Sequence, residues 1–114
     1  MLTLPKHLSA MEHDILHLVH GEVLFMPGTQ IEAVFLVDRG SVSIFSEKGE
    51  RLESRTGPQR LIGLRDILAG GHWRGLGVVE GLTRLRVFDA REILAAVENT
   101  PATHRDLLTM LAAA

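Results

Sequence analysis

The spacing of apolar residues changes along the chain and divides it into three regions. The first region follows Ser9, a good helix N-cap, and ends at Gly21. Its apolar residues recur at helical spacing: Met11, Ile15, Leu18 and Val19. This spacing predicts a short amphipathic N-terminal helix over residues 9–19.

Between residues 22 and 88 the pattern changes to short apolar runs separated by turn residues. Residues 33–37 are all apolar, and residues 41–46 alternate small polar with apolar side chains, as a half-buried strand does. Asp38-Arg39-Gly40 between them predicts a hairpin turn with a positive φ at the glycine. Two further strands, Val78–Val79 and 85–88, are predicted to close the region. Strands at about ten-residue intervals favour an all-β roll, sandwich or barrel.

Helical spacing returns twice. Residues 64–68 predict a short helix inside the β region, ended by Gly70-Gly71. Residues 89–114 predict two C-terminal helices, the first capped by Asp89 and the second starting at Thr100-Pro101. The predicted order is therefore one helix, seven or eight strands with a short helix embedded among them, and two helices.

Composition and charge limit the classes of function that the chain can have. Residues 1–114 are long enough for one domain, and a chain that is 46% hydrophobic and 23% charged is globular. A net charge of −2 argues against direct nucleic-acid binding, and the lack of cysteine excludes thiolate zinc sites and disulfides. No apolar run approaches a membrane span, and the first residues lack the charged-then-apolar plan of a signal peptide, so we expect neither. We expect a soluble, cytoplasmic protein that binds neither membrane nor nucleic acid.

The sequence resembles the cyclic nucleotide-binding domain family, in particular sensor domains of the catabolite-activator type. The resemblance rests on Gly28 after a strand, on Val34-Phe35-Leu36-Val37-Asp38-Arg39-Gly40-Ser41-Val42, and on the helix that begins at Asp89. It covers nearly the whole chain. It implies an eight-stranded β-roll, a jelly-roll-like double-stranded β-helix, with helices at both ends.

In this family a phosphate-binding cassette lies between two strands, and it matches residues 62–78. The resemblance implies that Arg74 binds the cyclic phosphate through paired hydrogen bonds and that Gly63 lets the backbone approach it. The implied ligand is cAMP, cGMP or another small anion, with no further cofactor. The implied ligand-binding residues are Gly63, Leu64, Arg65, Asp66, Arg74, Gly75 and Leu76.

The cassette departs from the family pattern at several positions. Leu64 replaces the glutamate that accepts a hydrogen bond from the ribose 2′-hydroxyl, and an unpaired hydroxyl costs about 1–3 kcal/mol. Asp66 would substitute only if the loop is rearranged. Leu76 is bulkier than the family's alanine, and Trp73 replaces a common proline. The cassette is therefore degenerate.

Two functions follow from these residues. The first is a non-enzymatic regulatory sensor that binds a cyclic nucleotide through Arg74 and the Gly63 loop. The second is a ligand-free roll that mediates protein interaction, including a homodimer through its terminal helices. Leu107, Leu108 and Leu111 of the last predicted helix would form the dimer contact.

Metal or enzyme chemistry has weaker support. His13, His17 and His20 fall on one face of the first predicted helix, but no carboxylate or thiol joins them, so surface polar residues are the favoured interpretation. A metal-dependent cupin enzyme would need strand-borne histidines. All six histidines lie outside the predicted strands: His7, His13, His17, His20, His72 and His104. We therefore predict no catalytic residue and no metal site.

Overall fold

A computed structural model describes residues 14–98 of the chain as a β-roll with one helix inserted and one following. Its strands are β1 (Asp14–Leu18), β2 (Val23–Phe25), β3 (Ala33–Phe45), β4 (Leu52–Thr56), β5 (Leu61–Ile62) and β6 (Leu76–Asp89). Its helices are α1 (Leu64–Leu68), between β5 and β6, and α2 (Ala90–Glu98). The predicted fold class, a mainly β roll with helices, is confirmed.

Two long antiparallel strands, β3 and β6, organise the roll. They pair from Ala33 opposite Asp89 to Phe45 opposite Leu76, with register shifts between Val37 and Ser41. β1 and β5 flank the half of this ladder that contains Ala33, whereas β2 and β4 flank the half that contains Phe45. The six-stranded sheet thus bends into two halves. Because β3 and β6 run through both halves, each half contains four strand segments, which gives the eight segments of the expected roll.

The hairpin predicted at Asp38-Arg39-Gly40 is wrong, because β3 runs through these residues without reversing direction. Gly40 does have a positive φ of 89°, but it serves a bend in the strand. A Cβ atom there would lie 2.6 Å from the Leu82 carbonyl oxygen and 2.8 Å from the Thr83 Cα. Gly81 likewise lies inside β6, so the two predicted closing strands are parts of one strand. Bulges bend both strands where the sequence indicated turns.

The helix predicted over residues 9–19 is also wrong for the part that the structure describes. Asp14–Leu18 form β1 and pair with Thr83–Val87 of β6. β1 is hydrogen-bonded to a strand that is distant in sequence, and the local spacing of apolar residues cannot predict such a pairing. Residues 9–13 lie outside the described part.

The other two helix predictions that can be compared with the structure are confirmed. α1 occupies the predicted residues 64–68, and α2 begins directly after Asp89. The Asp89 Oδ1 accepts hydrogen bonds from the backbone N–H groups of Arg91, at 2.8 Å, and Glu92, at 3.2 Å, as an N-cap does. The helix predicted from Thr100-Pro101 lies outside the described residues.

Buried side chains from both halves of the roll form one core, to which the helices contribute Leu64, Ile67, Ala90 and Ile93. The core residues from the strands and loops are Phe25, Ile31, Val34, Phe35, Leu36, Val37, Val42, Ile44, Leu61, Ile62, Trp73, Val79, Leu85 and Phe88. Aromatic residues lie where the two halves open toward α1, which is the region of the predicted ligand site.

Candidate ligand site in the β-roll

Gly63 starts the cassette-like segment in a backbone conformation that favours glycine. It follows β5 and precedes α1 with a φ of 107°. Its carbonyl oxygen accepts the N–H of Ile67 at 2.9 Å, the first hydrogen bond of the short helix. A Cβ atom on Gly63 would lie 2.8 Å from the ring of Trp73. The close approach that this glycine permits is therefore to an indole of the same chain.

Trp73 lies inside the roll at the position where a ligand was expected. Only 6% of its surface is exposed. Its ring stacks on Phe25 with the centroids 3.9 Å apart and the planes 12° from parallel, and the Phe35 ring lies 6.1 Å away. Gly77 makes room for this stack, because a Cβ atom there would lie 2.3 Å from the Phe25 ring. The stack and the glycine together close the interior of the roll.

Little free volume remains beside the indole. The cavity that survives measures about 20 Å³, room for about one water molecule. It is lined by Phe25, Ile44, Ile62, Gly63, Arg65, Asp66 and Trp73. Pockets that bury a nucleotide-sized ligand usually have volumes of about 300–1,000 Å³. Among the residues that the structure describes, the cavity beside Trp73 is too small for a cyclic nucleotide.

Arg74, the expected phosphate ligand, pairs with a carboxylate of the same segment. Its Nε donates a hydrogen bond to the Asp66 Oδ1 at 3.0 Å. The Arg74 side chain is 70% exposed and that of Asp66 is 19% exposed. The carboxylate thus supplies the negative charge that a cyclic phosphate would bring. It would also repel such an anion, since both carry a negative charge near one guanidinium.

The remaining predicted site residues are distributed over different environments. Leu64 packs in the core at 3% exposure and does not line the small cavity, whereas the exposed Arg65 does. Gly75 is buried, and a Cβ atom there would lie 2.5 Å from the Phe45 carbonyl oxygen. Leu76 is half-buried at the start of β6. Ligand binding by these residues stays a prediction.

Sequence reasoning noted Trp73 as unusual but missed its role in filling the roll. The available signal was that the only tryptophan of the chain stands in a segment rich in glycine. Two of those glycines, Gly63 and Gly77, lie against the aromatic stack. A large aromatic residue in a segment rich in glycine indicates that the glycines, which have no side chain, leave space for its ring.

The histidines that had been placed on a helix face lie apart from any metal geometry. His17 is in β1, and His20 follows the strand, where its Nδ1 accepts the Gly81 N–H at 3.0 Å. His13 is outside the described residues. Across residues 14–98 no three acidic or histidine side chains are grouped as metal ligands. Within the same range no helix has the length and apolar character needed to cross a membrane.

The two-halved roll with a helix between β5 and β6 is similar to a solved cyclic nucleotide-binding-like protein from Brucella abortus. The two structures align with a TM-score of 0.63 and 18% identity, over 76% of this chain and 77% of the other. The chain has the fold of cyclic nucleotide-binding domains. No protein-family model and no curated protein sequence matches the chain.

Two other proteins with this fold differ in their relation to the nucleotide. The regulatory subunit of a cAMP-independent protein kinase A from Trypanosoma brucei aligns with a TM-score of 0.65 and 14% identity, over 84% of this chain and 39% of the other. The EAL enzyme Bd1971 in its cAMP-bound form aligns with a TM-score of 0.69 and 14% identity, over 86% and 27%. The chain thus spans less than half of these two larger proteins, and the likeness concerns the fold.

Proposed function

We propose that this domain is a non-enzymatic regulatory module whose roll is filled by its own side chains and which acts through protein contacts without a cyclic nucleotide. The observation that carries the proposal is the position of Trp73, which is stacked on Phe25 and leaves a cavity of about 20 Å³. The fold retains the shape of a sensor domain, while the space that a sensor keeps for its ligand is part of the core.

The energetics favour the filled state. A ligand would have to expel an indole whose loss from a core costs about 3–5 kcal/mol. That cost alone would weaken binding by two to three and a half decades, at about 1.4 kcal/mol per decade. The ligand would also have to separate Arg74 from Asp66, and it would meet Leu64 in place of a hydrogen-bond acceptor. These three effects act in the same direction.

A second candidate is a cyclic nucleotide sensor in which Trp73 moves out of the roll. Gly70 and Gly71, with φ values of 147° and 84°, lie just before Trp73 and provide a flexible connection. Arg74 is exposed and could exchange Asp66 for a phosphate. The cAMP-bound structure of Bd1971 supports this alternative for the fold in general. The indole itself is the reporter that separates the two candidates.

Calorimetric titration with millimolar cAMP and cGMP tests the proposal, together with the fluorescence of Trp73. Because this residue is the only tryptophan, its emission reports the site directly. We expect no heat of binding and no change of emission. Arg74→Ala should behave in the same way as the unmodified protein, and a protein known to bind cAMP serves as the positive control.

Micromolar binding that shifts the Trp73 emission to longer wavelength and is abolished in Arg74→Ala would refute the proposal. It would establish the second candidate, since the indole would have left the roll and the arginine would have bound the phosphate.

A further inference from the structure

Three basic residues lie in one row across neighbouring strands on the half of the roll that carries β1. Arg84 of β6 is directly opposite His17 of β1 on one side and Arg39 of β3 on the other. Directly opposed residues in antiparallel strands place their side chains on the same face of the sheet. The two arginines carry like charges and repel each other, so a negative charge beside them would stabilise this part of the sheet.

The nearest carboxylate balances only part of the positive charge of these arginines. Asp38 forms an ion pair with Arg84, with its Oδ2 2.6 Å from an Nη, and its Oδ1 lies 3.8 Å from the Nε of Arg86. The Nε of Arg84 is buried without an acceptor among the described residues. Arg39 is exposed, and among residues 14–96 it has no ion-pair partner.

The row borders an apolar groove that is open to solvent. The groove has a volume of about 260 Å³ and is lined by His17, Leu18, Val19, Arg39, Leu82, Thr83 and Arg84. Leu82 is 76% exposed, more than any other large apolar side chain of the described residues, and Val19 is 56% exposed. Leu82 lies in the bulge of β6, where Gly81, Leu82 and Thr83 have no partner in β3 between the partners of Arg39 and Ser41.

Resting on the proposed function, we propose that this groove, bounded by His17, Arg39 and Arg84, binds an acidic and apolar segment of a partner protein. An aliphatic side chain of the segment would lie against Leu82 and Val19, and an adjacent carboxylate would pair with Arg39 and with the part of the Arg84 side chain that is exposed, 39% of its surface. The positive charge of the arginines favours a partner with carboxylates, and the partner would bury the exposed apolar surface of Leu82.

Size and charge count favour a protein segment over the other occupants. A groove of about 260 Å³ is smaller than a usual small-molecule pocket, at about 300–1,000 Å³, but it accommodates individual side chains. Binding to an anionic membrane usually needs a cluster of about 4–8 Lys and Arg residues, and this row has two arginines and a histidine. An acidic protein segment can form ion pairs with only one or two basic residues, such as Arg39 and Arg84.

Nuclear magnetic resonance titration of the full chain tests the inference. The probe is a ten-residue peptide of alternating leucine and glutamate, and the matched control peptide has glutamine in place of every glutamate. We expect weak, micromolar binding of the acidic peptide that shifts the amide signals of Val19, Leu82 and Thr83 and leaves the Trp73 indole signal unchanged. Added salt should weaken it, since exposed charges are screened.

Two charge-reversal variants provide the matched comparison. Arg39→Glu should weaken binding of the acidic peptide by about tenfold or more, because it turns an attraction into a repulsion. Arg51→Glu makes the same change at an exposed arginine next to β4, on the other half of the roll, and should leave the affinity unchanged.

Several results would overturn the inference. These are no binding of the acidic peptide, equal binding of the glutamine peptide, or equal weakening by both variants. Tighter binding to phosphatidylserine vesicles than to the peptide would assign the groove to a membrane. Shifts of the same amides with protein concentration alone would assign it to a second copy of this chain. Binding of cAMP at Trp73 would refute the proposed function without changing these readouts, so the two failures are distinguishable.

Discussion

Replacing Trp73 with alanine would empty the middle of the roll, and the structure sets the size of the effect. The indole is almost fully buried, stacks on Phe25 and contacts Gly63. Removal of a core tryptophan costs about 3–5 kcal/mol, and the tight stack places Trp73 toward the upper part of this range. For a domain near 100 residues, each kcal/mol lowers the melting temperature by about 4–8 °C, so a loss of about 4–5 kcal/mol corresponds to a fall of roughly 16–40 °C.

The variant should still fold at low temperature. At roughly 0.05–0.15 kcal/mol per residue, a domain of this length has about 6–17 kcal/mol of stability. Because the variant has no tryptophan, its unfolding is followed in urea by circular dichroism. Trp73→Phe is the conservative control, since it keeps a ring against Phe25, and it should lose less than half as much stability.

Rescue by free indole gives the experiment a second readout. Apolar cavities of about 150 Å³ in protein cores stay dry and bind aromatic molecules, so indole should raise the unfolding midpoint of Trp73→Ala and leave the unmodified protein unchanged. A loss below about 1.5 kcal/mol would refute the reasoning, because a residue that fills the core costs more. Failure of indole to stabilise the variant would show that the vacated space collapses. If Trp73→Ala does not fold, Trp73→Phe and Trp73→Leu provide the same comparison.

Two further predictions concern the bend of the sheet and a surface carboxylate. Gly40→Ala should destabilise the fold by on the order of 3 kcal/mol, whereas Gly81→Ala should cost about 1–2 kcal/mol. Both glycines have a positive φ, but only a Cβ atom at Gly40 would clash with Leu82 and Thr83. Equal losses of stability in urea unfolding would contradict this explanation. The Ser43 hydroxyl and the Arg55 guanidinium lower the pKa of Glu80 below its usual value of 4.5. Its contribution to stability should therefore be complete above pH 4.5 and be lost as the pH falls through the lowered pKa. Arg55→Gln should raise the pKa of Glu80 in a carboxylate titration by nuclear magnetic resonance, and an unchanged pKa would assign the shift to Ser43 alone.

The errors of the sequence analysis share one physical origin. The residues of β1 have helical spacing, but their hydrogen-bond partners are Thr83–Val87, far along the chain. The segment around Gly40 has the residues of a turn, yet the packing of Thr83 against it produces a bend within β3. A local pattern indicates that the chain changes direction, whereas contacts between distant segments decide how it does so.

The candidate site shows the same division. The cassette could be located from sequence because its glycines, its short helix and Arg74 follow a local order. The pairing of Arg74 with Asp66 spans eight residues and joins the loop before β6 to a side chain of α1. The stack of Trp73 on Phe25 joins residues that are forty-eight positions apart, so no spacing within the segment predicted it.

The class of fold, the position of α1 and the start of α2 follow from local sequence, because strand spacing, glycine breaks and the Asp89 cap act over a few residues. Three features are visible only in the folded chain. β3 and β6 are continuous, Trp73 fills the interior of the roll, and His17, Arg84 and Arg39 form one row. Each of these features arises where distant segments meet, and the free energy of packing and pairing at such contacts exceeds the local preferences of the residues involved.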